Sequence, residues 1–88
     1  MKYFAALLTM LDTEKSQTLR PLHLDHLAST FRQGRIFAYG RFADGAGGLI
    51  IYKAPNLEEA MQLAKSDPYV ANGARRLEIH EWEMVCER

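Results

Sequence analysis

An unbroken apolar run from Tyr3 to Leu8 opens the chain, with the length of a strand buried on both faces. The polar stretch Asp12 to Thr18 reads as a loop. At Arg20-Pro21 a helix is predicted to start, since proline favours the first helical position and displaces the residue before it from helical geometry. Leu24, Leu27, Ala28 and Phe31 then recur at helical spacing, and Gly34 stops the helix. Ile36 to Tyr39 reads as a second strand with Gly40 to Phe42 as its tail. Asp44 to Gly48 is a turn, and Leu49 to Tyr52 a third strand.

Pro55-Asn56 opens a second helix, with Asn56 as N-cap and Glu59 reaching back in a capping box. Leu57, Ala60, Met61 and Ala64 form its buried face, and Glu58, Glu59, Gln62 and Ser66 face water. Asp67-Pro68 ends it. A loop from Tyr69 to Gly73 leads to a last strand, Arg76 to Val85. There the apolar phase slips between Ile79 and Trp82, which predicts a bulge or a change of environment.

The order β-α-β-β-α-β, with right-handed crossovers, is that of a ferredoxin-like α+β sandwich whose first and third strands lie in the sheet centre. Those are the two runs that read as apolar on both faces. Both helices fall on one face of such a sheet, so its other face needs a cover. A second copy packing sheet against sheet meets that need, and a homodimer is expected.

Composition changes this picture little. The hydrophobic fraction of 48% is that of a globular chain, and one domain over residues 1–88 is expected. Eleven Lys and Arg balance eleven Asp and Glu, which argues against nucleic-acid and membrane-surface partners, since both need a basic excess. Lys2 with Tyr3 to Leu11 faintly resembles a secretory signal, yet Asp12-Thr13-Glu14-Lys15 follows with no small-residue cleavage site. No segment approaches the ~20 apolar residues of a membrane span. The single cysteine, Cys86, builds neither an intrachain disulfide nor a zinc site and is a poor nucleophile past the last strand. A reducing cytoplasm is the expected location.

His23 flanks the apolar stripe of the first helix, either as a boundary residue with a wetted tip or as a general base; the residues alone favour the former. His26 points away from that stripe and reads as solvated. Asp67 sits where the second helix ends, a position its macrodipole disfavours for a carboxylate, so it is a turn residue or one kept for a partner. Tyr69 offers a hydroxyl beside it. Arg20 at the predicted helix mouth suits an anion or is a plain surface cation, and Arg75-Arg76 reads as solvated charge. Tyr39, His80 and Trp82 are able to stack on a planar ligand such as haem, though strand aromatics are more often core. No metal-ligand spacing occurs. Gly45 to Gly48 lacks the context of a phosphate loop.

Arg20-Pro21-Leu22-His23-Leu24, Phe37-Ala38-Tyr39-Gly40 and Ala64-Lys65-Ser66-Asp67-Pro68-Tyr69, with Gly73, resemble the YCII-related (YciI-like) family from Tyr3 to about Met84. The resemblance implies a dimeric ferredoxin-like α/β barrel and an active site on His23 and Asp67. Only that pair is carried over; the residues themselves make Arg20, Tyr69 and Tyr39 candidates for holding substrate. At least one related enzyme eliminates chloride from a chlorinated hydroxyquinol. Many relatives place proline after the strand-two glycine, whereas Arg41 follows Gly40 here.

A His–Asp pair without its own nucleophile suits proton abstraction or elimination on a small cyclic or phenolic substrate, with no cofactor. Arg20 or Tyr69 would steady an enolate-like oxyanion. The alternatives are a non-catalytic ligand-binding module and a purely structural homo-oligomer. An RNA-binding sheet is disfavoured because neither central strand carries a basic-aromatic pattern.

Overall fold

The computed structural model describes residues 1–85. The first strand, β1 (Lys2–Met10), buries Phe4, Ala6 and Leu8 on one face and leaves Tyr3, Ala5 and Leu7 half-buried on the other. It pairs antiparallel with both β3 (Gly47–Ala54) and β4 (Arg75–Trp82), and β2 (Ile36–Arg41) pairs with β3. The sheet order is therefore β2-β3-β1-β4, with the first and third strands central as expected. Register places Phe4 beside Tyr52, Ala6 beside Ile50 and Ala6 beside Ile79 on the buried face. Leu27 of α1 (Thr13–Arg32) and Ala60 and Ala64 of α2 (Leu57–Lys65) pack there, closing the core on one side only.

The first helix begins a full two turns before the predicted position. Asp12 is its N-cap, its carboxylate accepting the Lys15 N–H at 3.0 Å, and Glu14 sits favourably in the first turn. The Asp12 to Thr18 segment is thus largely helix rather than loop, and Pro21 lies inside α1. An exposed proline there removes one helical hydrogen bond, that to the Gln17 carbonyl, which the long helix on either side tolerates. The expected stripe is only partly the buried one. Leu27 is buried, whereas Leu24, Ala28 and Phe31 are exposed.

In α2 the Asn56 carboxamide caps the Glu59 N–H at 2.9 Å. Glu59 is half-buried, and its Oε2 has no hydrogen-bond partner, so it neither faces water nor closes a capping box through that atom. Leu57 is exposed and Leu63 packs on the core in its place, because the buried stripe is rotated from the expected one. The expected loop after Asp67 contains a single helical turn, α3 (Pro68–Ala71). The last strand ends at Trp82, not Val85. Its register is continuous, so the phase change reflects a change of environment: Ile79 faces the helices and Trp82 the open face. The sheet's irregularity lies between Ile36 and Ala38 instead. Cys86 lies outside the described residues.

Candidate functional site

Asp67 is held by α3, whose N-cap it is. Its Oδ1 accepts the Tyr69 N–H at 3.0 Å, so the residue that follows the C-cap of α2, as expected, also caps the next helix, a favourable place for a carboxylate. The same Oδ1 lies 2.8 Å from His23 Nδ1. Asp67 is fully buried, and His23 keeps 12% of its side chain exposed. The Oδ2 atom is buried with no protein partner among the described residues. An ionised Asp67 fixes the proton on Nδ1 and leaves Nε2 as the ring nitrogen with a free lone pair. If Nε2 takes a proton, the adjacent buried charge stabilises the imidazolium.

Tyr69 fixes the imidazole plane. Its ring is buried and stacks on His23 at 3.9 Å between centroids, with 14° between planes. The Arg75 guanidinium lies 4.4 Å from the Tyr69 centroid, and since His23 occupies one ring face, Arg75 takes the other. Arg75 is therefore not solvated charge: it is half-buried, and its Nε–H donates to Ser16 Oγ at 3.1 Å.

His26 also departs from expectation. Its Nε2 lies 3.0 Å from the hydroxyl of the fully buried Tyr52. Burial pushes the imidazole pKa down; the Asp67 charge opposes that, and nearby His23 adds to it. Tyr52 is pushed far up, by burial first and Asp67 second. The helical spacing of three residues was the signal that could have found His26, because positions three apart share a face.

A cavity of about 450 Å³ opens against this cluster. His23, Tyr69, Arg20 and Tyr39 line it, so four of the five candidate residues meet at one hollow, with Asp67 behind His23. Leu8, Leu24, Leu27, Ile50 and Phe42 supply apolar wall. His80 and Trp82 lie on the opposite face of the sheet from Tyr39, so the three do not form one stacking site; His80 bonds Glu78 at 2.9 Å. Among the described residues no group of three His, Cys, Asp or Glu is placed to hold a metal. No described helix is long and apolar enough to cross a membrane.

An antiparallel sheet in this order, with helices on one face and a helix-borne imidazole backed by a buried carboxylate, defines a ferredoxin-like α+β protein with a ligand-sized hollow. The chain belongs to the YCII-related domain family, which matches residues 1–83. The uncharacterized protein YjpA of Bacillus subtilis (strain 168) is 33% identical over 82 residues, 93% of this chain and 96% of its own. The fold is also similar to 5-chloro-2-hydroxyhydroquinone dehydrochlorinase (TftG) from Burkholderia phenoliruptrix AC1100, solved in complex with 2,5-dihydroxybenzoquinone. That likeness has a TM-score of 0.78 at 16% identity and covers 92% of this chain and 93% of that one.

Proposed function

We propose that the protein is a small-molecule enzyme in which His23, oriented by Asp67, abstracts a proton from a ring-sized substrate without a cofactor. The observation that carries this reading is the 2.8 Å His23–Asp67 bond, with the carboxylate fully buried and the imidazole at a cavity. Nε2 takes a proton from a carbon next to a carbonyl or enol. The electron pair left behind either expels a leaving group, giving elimination, or is reprotonated elsewhere, giving isomerisation. Arg20 or Tyr69 steadies the oxyanion that forms between those events, and Tyr39 packs against the substrate ring. The chemistry named for the structurally similar dehydrochlorinase supports this direction.

The test is turnover against a panel of hydroxylated and halogenated cyclic compounds. His23→Ala should lower the rate by roughly 10²–10⁴-fold, the range expected of a positioned base. It should do so with unchanged circular dichroism. A His23→Ala protein as active as the parent sinks the proposal, and binding without turnover by the parent points to a ligand-binding module.

We also propose that two copies pair through the open sheet face. Ala5, Leu7, Leu49 and Ile51 share that face on the central strands, and both main helices lie on the other. Tyr3 packs edge-on against Phe37 there at 5.4 Å, and Phe37 and Trp82 are 43% and 44% exposed. The lone cysteine supports a reducing, cytoplasmic location.

A further inference from the structure

We propose that the cavity beside His23 takes a small organic anion, a carboxylate on a ring-sized apolar body, with Arg75 as its principal anchor and Arg20 and Arg41 at its mouth. This rests on reading the hollow as a substrate site and names the substrate class. Arg20 comes from α1, Arg41 from the end of β2 and Arg75 from the start of β4. All three line the cavity, and no Asp or Glu does. The chain as a whole has zero net charge, so three arginines with no lining carboxylate make this hollow more positive than the chain's average. Among the described residues the ion pairs involve Lys2, His23, Arg76 and His80, and none of these three arginines. A concave, partly apolar wall concentrates the field of these unpaired arginines, and the buried Asp67 carboxylate is already bonded to His23 and the Tyr69 N–H.

Register explains why Arg41 faces inward. Tyr39 and Arg41 pair with Ile50 and Gly48, residues on the helix-covered face of β3. Gly48 lets β2 run close beside β3, since a Cβ there would meet the Gly40 carbonyl oxygen at 2.9 Å.

Arg75 is the most prepared of the three. Ser16, only 4% exposed, holds its Nε–H, while Tyr69 supports the guanidinium plane. With Nε committed, the two terminal nitrogens remain, and their planar fork matches the two oxygens of a carboxylate. His23 and Arg75 lie on opposite faces of the Tyr69 ring. A ligand whose carboxylate sits on Arg75 therefore passes the edge of Tyr69 to bring its body to His23. The apolar walls favour such a ligand over inorganic phosphate, which has no apolar body to bury.

Calorimetric binding of benzoate, benzamide and inorganic phosphate tests the proposal. Benzoate should bind at least about tenfold more tightly than benzamide, as a charge-assisted pair requires. That preference should shrink with added salt and fall about tenfold in Arg75→Gln. If Arg75→Gln does not fold, the Arg20→Gln/Arg41→Gln double variant, with Arg75 intact, should show a several-fold loss. Equal binding of benzoate and benzamide overturns the proposal. So does undiminished benzoate affinity in the variants, tighter binding of phosphate than benzoate, or no benzoate binding at millimolar concentration. The calorimetry reads binding alone and involves no turnover. Loss of the proton-transfer reading thus leaves the proposal standing, and its own failure leaves turnover by His23 intact.

Discussion

His26 shows how a residue three positions from His23 acquires a different role by facing Tyr52 under the helix. Its imidazole pKa is lowered by burial despite the charge of Asp67, with His23 adding to the fall, so the fold favours the neutral ring. The unfolded chain binds a proton at about pH 6.5, and the folded one only at lower pH. This contribution is therefore fully present above that value and is lost as pH falls from it towards the folded pKa. Thermal melts of the parent should show a falling Tm across that window, and His26→Gln should flatten the slope. An unchanged slope would mean that His26 does not set the acid limb. The helical offset between the two histidines was visible in the chain, but the direction in which α1 turns that face was not.

At the scale of elements, the turn before β3 rests on two glycines with different reasons. Gly47 has φ +140°, and an added Cβ would overlap the backbone carbonyl of Leu8 on the paired strand. Gly45 has φ +82° with nothing within 4 Å of the Cβ position. Gly47→Ala should destabilise by roughly 2–4 kcal/mol, from strain plus overlap, and Gly45→Ala by about 1 kcal/mol from backbone strain alone. Urea denaturation measures both, and a Gly47→Ala loss no larger than that of Gly45→Ala contradicts the argument. The turn itself was readable from its residues. The start of α1 differs from the predicted one because Arg20-Pro21 is a strong local signal that competes with the Asp12 cap, and packing decides between two such starts. Ser16 is buried on the added turns and braces Arg75, so that decision also shapes the cavity.

For the whole molecule, the proposed pairing through the open face leads to a further expectation. Phe37 and Trp82 are substantially exposed in one copy, so glutamates there leave the single-copy core intact while placing charge within the pairing face. The parent should sediment as a dimer at micromolar concentration, and the Phe37→Glu/Trp82→Glu protein as a folded monomer. A monomeric parent, or a double variant that stays paired, rules out that face.

Strand order, the two main helices and the chemical identities of His23 and Asp67 were written in the chain itself. Apolar runs and helical spacing act over a few residues, so they are legible without coordinates, whereas Pro21 marked a false start for α1. The family resemblance named His23 and Asp67 together, but only the tertiary structure decided the contact that joins them across 44 residues, and that Arg75 backs Tyr69 and His26 meets Tyr52. Those contacts depend on how the helices rotate and seat on the sheet. That seating is a property of packing across distant segments, which no local pattern encodes.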